Sequence, residues 1–159
     1  MKEGIWFVVG AVVGAGIMWM ALSEAPEGCG ANANDVTLTL VRGSVPILAN
    51  PDPACVEFPE GAQKGGRLHW TASGRAGDII KIEFKNGSPF PQSYYEFTVA
   101  ANGLGEKQSD EVTAAPTGPG TGDCKTPGEP DCYKYDVRWE RAGSEPVVVD
   151  PMVKIRRFP

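Results

Sequence analysis

His69 is the only histidine in a chain of 159 residues, so any histidine chemistry has to be built on it. A histidine base needs an orienting carboxylate and a nucleophile within hydrogen-bond reach. No Gly-x-Ser-x-Gly elbow accompanies it. The carboxylates are scattered, among them Asp52, Glu57, Asp78, Asp110, Glu111, Asp123, Asp131 and Asp150. Two of them meeting in space would suit a glycosidase pair, but nothing in their spacing brings two together. Calcium at Asp52 or Asp123 would lack the ligand spacing of an EF-hand loop. The chain has no phosphate-cradling glycine loop and no Cys-x-x-Cys-His haem site. The reading is therefore of a non-enzymatic protein, with no catalytic residue, no metal site and no cofactor.

The four cysteines are the next reactive set: Cys29, Cys55, Cys124 and Cys132. Zinc would want Cys-x2-Cys pairs or histidines, and neither is present. Cys124 and Cys132 flank a short loop, Lys-Thr-Pro-Gly-Glu-Pro-Asp, and are expected to pin it as a disulfide. Cys29 and Cys55 are candidates for a second bridge, although four cysteines allow three connectivities. Disulfides belong on the oxidising side of a membrane.

A membrane enters through residues 1–22. From residue 4 to residue 22 there is no charge. About 19 helical residues span about 28 Å, close to the hydrocarbon thickness of a bilayer. A signal peptide is the competing reading, since Ala21-Leu22-Ser23 is an acceptable cleavage site. The apolar run nevertheless exceeds the roughly 7–15 residues typical of such signals. Lys2 and the α-amine precede the run, while Glu24 and Glu27 follow it. The positive-inside rule then leaves the N-terminus cytoplasmic and the rest outside, in the periplasm of a bacterium whose inner membrane holds the single span. Gly10 and Gly14, with Gly16 beside them, leave a smooth face on which a partner helix can pack closely. Glycine is also simply common in membrane helices.

Residues 23–34, SEAPEGCGANAN, are small and polar and read as a flexible tether. About 125 residues remain, 35–159, enough for one domain with its own core. The formal net charge of −5 argues against nucleic acid, whose phosphates need a basic footprint, and against electrostatic docking to anionic lipid.

From residue 35 on, apolar residues alternate with polar ones, the period of half-buried strands. Val36, Leu38 and Leu40 alternate with Thr37 and Thr39; Ile80, Ile82 and Phe84 share a face; Tyr95, Phe97 and Val99 do the same. Short strands are also expected over 56–58, 67–72 and 152–156, and the clearest over 133–140, where Tyr133, Tyr135, Val137 and Trp139 line one side. Such strands with Gly/Pro turns between them predict an all-β sandwich. Residues 101–131, rich in Gly, Pro and Thr, read as one long loop, either solvated or lying along a partner.

The segments 66–70 (Gly-Arg-Leu-His-Trp), 80–84 (Ile-Lys-Ile-Glu-Phe) and 133–137 (Tyr-Lys-Tyr-Asp-Val), with Val153-Lys154-Ile155 as a final strand, resemble the cupredoxin-like Greek-key sandwich of the plastocyanin and azurin superfamily. The resemblance implies that scaffold without its chemistry. Blue copper needs two histidines, a cysteine and usually an axial methionine. The first-histidine position would be Ile80 and the cysteine position Val137, no histidine follows, and Met152 alone would not hold copper.

With chemistry set aside, the surface remains. Phe90 and Tyr94 stand among the prolines of segment 88–95, as anchors for a partner or, for Phe90, as a cap on the sandwich end. Arg156 and Arg157 could grip an acidic neighbour. The expected function is an accessory subunit that braces or bridges subunits of a larger bacterial membrane complex, respiratory or photosynthetic. Residues 4–22 would lie in the lipid bilayer. The alternative is a free-standing tethered module that binds a small ligand, metal or envelope polymer.

Overall fold

Alternation of buried and exposed residues runs through nearly every strand of the computed structural model, which describes residues 29–40, 47–85, 87–113 and 131–158. The expected transmembrane helix, with Gly10, Gly14 and Gly16, lies outside those residues. Among the described residues no helix is long and apolar enough to cross a membrane.

The strands are β1 (Asp35–Leu40), β2 (Ile47–Asn50), β3 (Ala54–Pro59), β4 (His69–Ser73), β5 (Ile79–Glu83) and β6 (Tyr94–Thr98). They continue with β7 (Leu104–Gln108), β8 (Cys132–Lys134), β9 (Asp136–Glu140), β10 (Val147–Val149) and β11 (Met152–Phe158). One sheet has the order β2-β1-β4-β7, a second β10-β9-β5-β6, and a third β3-β11-β8. Two pairs, β1 with β4 and β3 with β11, are parallel. A parallel pair cannot be closed by a tight hairpin, so β2 and β3 fill the crossover between β1 and β4. The described part of the chain is thus an all-β, sandwich-like fold.

The inward residues form one core. Trp70, Trp139, Tyr135, Phe90, Leu38, Ile47, Leu68, Ile80 and Ile82 are all fully buried. Rings link its middle: Trp70 lies 5.3 Å from Tyr95 and 6.0 Å from Tyr135, and Phe84 lies 5.1 Å from Tyr135 and 5.7 Å from Phe90, centroid to centroid. Burying each such side chain removes apolar surface from water at about 25 cal/mol per Å².

Three expectations need correction. The long loop 101–131 contains β7, which pairs antiparallel with β4 from Ser73–Leu104 to His69–Gln108. Its sequence, LGEKQ, has a single large apolar residue, so no period reveals it. The expected strand 133–140 is broken at Tyr135, with β8 in the third sheet and β9 in the second. All four inward residues stay buried through the break, which is why the alternation runs on unbroken. The tether is fixed to the sandwich from Cys29 onward. Cys29 is bonded to Cys55, Cys55 N–H donates to Ala33 O, and His69 N–H donates to Asn34 O.

Candidate interaction surface

His69 projects from the outer face of β4, beside Asp35 of β1. Its Nδ1 is 3.3 Å from Asp35 Oδ1 and its Nε2 3.5 Å from Glu106 Oε2 of β7. Both ring nitrogens thus face carboxylates on neighbouring strands. The arrangement holds an imidazole in place on an exposed sheet face. Among the described residues no group of three or more His, Cys, Asp or Glu is arranged to hold a metal ion. Further along β4, Thr71 and Ser73 face the same way. With Asn102, Leu104 and Glu106 they line an open groove of about 560 Å³.

The positions that the cupredoxin resemblance assigns to copper ligands are packed with hydrocarbon. Ile80 and Val137 are fully buried on the adjacent strands β5 and β9, and Val137 lies opposite Ile82. Met152 is in the third sheet, opposite Lys134.

A buried carboxylate does occur, and the sequence reading attached no role to it. Asp78 is 2% exposed, at the turn before β5. It accepts from Trp139 Nε1 at 2.9 Å, from Arg141 Nε and Nη2 at 2.9 and 2.6 Å, and from the Arg75 amide at 3.1 Å. The Arg141 guanidinium, aided by the other donors, outweighs desolvation and holds the carboxyl down at about 2. Gly74 makes room for this cluster: a Cβ there would stand 2.7 Å from Trp139 Cζ2 and 2.8 Å from Asp78 Oδ2. Every acceptor is used inside the fold, so the cluster is structural.

The expected partner contacts divide. Phe90 is fully buried, edge-on to Phe84 and to Tyr95, so it caps the core instead of standing on the surface. Ser88 Oγ fixes that turn, accepting from Phe90 N–H and donating to Gln92 O. The two neighbouring tyrosines point opposite ways. Tyr95 faces inward, and burial raises its pKa. Tyr94 is 45% exposed, and its hydroxyl donates to Glu96, which pushes its pKa up to about 12. Arg157 is engaged within the chain: it donates to both Asp131 oxygens and its guanidinium lies 5.1 Å from the Phe58 ring centroid. Arg156 is half-buried on β11, paired in register with Glu57.

Other surface residues were missed. Among the described residues the exposed large hydrophobics are Leu48 on β2, Leu104 on β7 and Val148 on β10, beside the expected Tyr94 on β6. Those strands are the four edges of the two larger sheets, so each edge carries one. Leu48 was findable, because strict alternation over Ile47–Asn50 turns it outward. Leu104 and Val148 had no such signal.

The cysteines form one bridge between described residues, Cys29–Cys55, with Cα atoms 5.6 Å apart. Cys132 is also disulfide-bonded, and Cys124, its expected partner, lies outside the described residues. The chain matches no protein-family model, no curated protein and no solved structure.

Proposed function

We propose that this protein is a non-enzymatic accessory subunit, held by residues 4–22 in a bacterial inner membrane, whose β-sandwich braces neighbouring subunits of a membrane complex on the periplasmic side. The observation that carries the reading is the placing of one exposed large apolar residue on each of the four sheet edges: Leu48, Tyr94, Leu104 and Val148. Sheet edges offer unpaired backbone groups to an incoming chain, and large exposed apolar side chains supply the anchoring contacts. A cupredoxin-like scaffold whose ligand positions have become core fits the same reading. Ile80 and Val137 contribute packing where copper chemistry would need His and Cys.

Extraction in mild detergent, followed by co-purification and mass spectrometry, tests it. The expected result is a stable set of integral-membrane partners. Replacing Gly10 and Gly14 together with Leu should loosen that set while the sandwich stays folded. A protein that runs as a lone monomer overturns the reading. It would favour the second one, a tethered binding module, for which the groove lined by Thr71, Ser73, Asn102 and Glu106 is the observation in support.

A further inference from the structure

The geometry points to the outer face of the β2-β1-β4-β7 sheet as a binding surface for an extended, uncharged glycan. This goes beyond the bracing role, and for the groove at Thr71 and Glu106 it rests on the binding-module reading above. The register sets the outward residues in rows across the strands. One row runs Asn50, Thr37, Thr71, Glu106, and the next Leu48, Thr39, Ser73, Leu104. Along β1, β2 and β4 these residues alternate with buried neighbours such as Leu38, Ala49 and Ala72. Rows of this kind lie about 6.8 Å apart, on strands about 4.8 Å apart. Thr37, Thr39, Thr71 and Ser73 thus make a block of hydroxyls, each able to donate and to accept.

The face hollows out on its β7 side. Thr71, Ser73, Asn102 and Leu104 line the groove of about 560 Å³, and His69, Lys107 and Gln108 line a second hollow of about 520 Å³. Glu106 lines both, so the two adjoin end to end along β7. Each is within the roughly 300–1,000 Å³ of ligand pockets. Together they suit a chain laid along the strand better than a compact molecule.

Charge selects the ligand. No Lys or Arg stands in the two rows, nor in the row Asp35, His69, Gln108. Asp35 and Glu106 face the His69 ring at 3.3 and 3.5 Å, and Lys107 stands at the rim. The outer face of the second sheet, by contrast, carries Lys81, Glu83, Glu96, Asp136, Arg138 and Glu140. Backbone recognition of a peptide is closed at β4, which is paired to β1 on one side and β7 on the other. Side chains must do the binding, and hydroxyls, amides and a carboxylate match the donors and acceptors of sugar hydroxyls. Asn102 Oδ1 already accepts from the Leu104 amide at 3.0 Å, which leaves its NH2 as the donor to a ligand. Leu104, 57% exposed, offers apolar surface to the C–H face of a sugar ring.

The test uses the full chain in phosphatidylcholine nanodiscs, free of sugar-based detergent, titrated with chitotetraose. His69 is the only histidine, so its ring signals in proton–carbon NMR report on this face directly. The expected result is a saturable shift of those signals, with N-acetylglucosamine alone binding several-fold more weakly. Glu106→Gln should weaken chitotetraose about ten-fold, as a charged acceptor is lost. Thr71→Val with Ser73→Ala should weaken it in the same direction, and Tyr94→Ala on the second sheet should leave it unchanged. Circular dichroism confirms the fold of each variant. Saturation unchanged in folded Glu106→Gln and Thr71→Val/Ser73→Ala protein overturns the assignment to this face. Signals moved by a Gly-Ser octapeptide and not by chitotetraose overturn the glycan and leave the binding-module reading standing. Signals moved by neither at millimolar concentration overturn both. Recovery of membrane partners is read separately and bears on the bracing role alone.

Discussion

Trp139 Nε1 donates to Asp78 Oδ2 at 2.9 Å, joining a turn and a strand that are 61 residues apart in the chain. The same oxygen accepts from Arg141 Nη2 at 2.6 Å. One carboxylate therefore ties the start of β5 to the end of β9, its neighbour in the second sheet.

Asp78→Asn retains the size of the side chain and removes its charge. Arg141 then loses its ionic partner beside a buried indole. Breaking one side of a buried pair costs about 3 kcal/mol. Denaturant unfolding of the protein in detergent should show the midpoint fall without a change in the β-sheet circular dichroism spectrum.

The same group sets an acid limit. An ordinary aspartate carboxyl titrates near 3.8, and this one sits at about 2 in the fold. A depressed carboxylate stabilises the folded state above its unfolded pKa, and that contribution is lost as pH falls through the folded one. The window is thus about pH 4 down to pH 2, and the amount roughly 2 kcal/mol. Unfolding measured across that window should steepen in the wild type, and Asp78→Asn should flatten the curve there.

Phe90→Ala and Tyr94→Ala should separate core from surface. Phe90 is fully buried against two rings, so truncation should cost about 3–5 kcal/mol. Tyr94 is 45% exposed, and its loss should change stability by less than about 0.5 kcal/mol. Recovery of partners in detergent is expected to drop for Tyr94→Ala in protein of unchanged melting temperature.

Removing the bridge with Cys29→Ala and Cys55→Ala releases a constraint across 26 residues. The unfolded chain then gains entropy equivalent to roughly 3 kcal/mol. Limited proteolysis of native protein should gain cleavage between residues 23 and 34, because the turn segment from Cys29 to Asn34 loses its covalent tie to β3 and keeps only the Cys55 N–H to Ala33 O hydrogen bond there.

Gly74→Ala places a methyl carbon at 2.7 Å from Trp139 Cζ2 and 2.8 Å from Asp78 Oδ2. Neither neighbour is the loose end of a flexible chain. Overpacking of this kind costs about 1–3 kcal/mol. Thermal unfolding checks it, and a neutral result would mean that the Asp78 turn relaxes easily.

Much of the β-architecture was legible because period-2 alternation is local. Val36 with Leu38, and Ile80 with Ile82, declare their inward face within a few residues. Strand β7 was hidden, since LGEKQ has almost no apolar side to bury and is held by backbone pairing to β4. The surface was less legible. Phe90 among its prolines reads either as a partner anchor or as a cap on the sandwich end, and the approach of Phe84 and Tyr95 from other segments decides for the cap. The role of Asp78 depends on Arg141 and Trp139, far along the chain.

The sequence by itself determined the all-β class, the inward faces of the main strands, the Cys29–Cys55 pairing as a candidate, and the lack of a histidine and cysteine set for blue copper. Those follow from residue type and short-range periodicity. Tertiary structure decided the strand order, the two parallel pairs, the break at Tyr135, the edge placement of Leu48, Tyr94, Leu104 and Val148, and the buried Asp78 cluster. Each of these depends on which distant strands become neighbours. That choice is made by packing one shared core, and no single segment carries it.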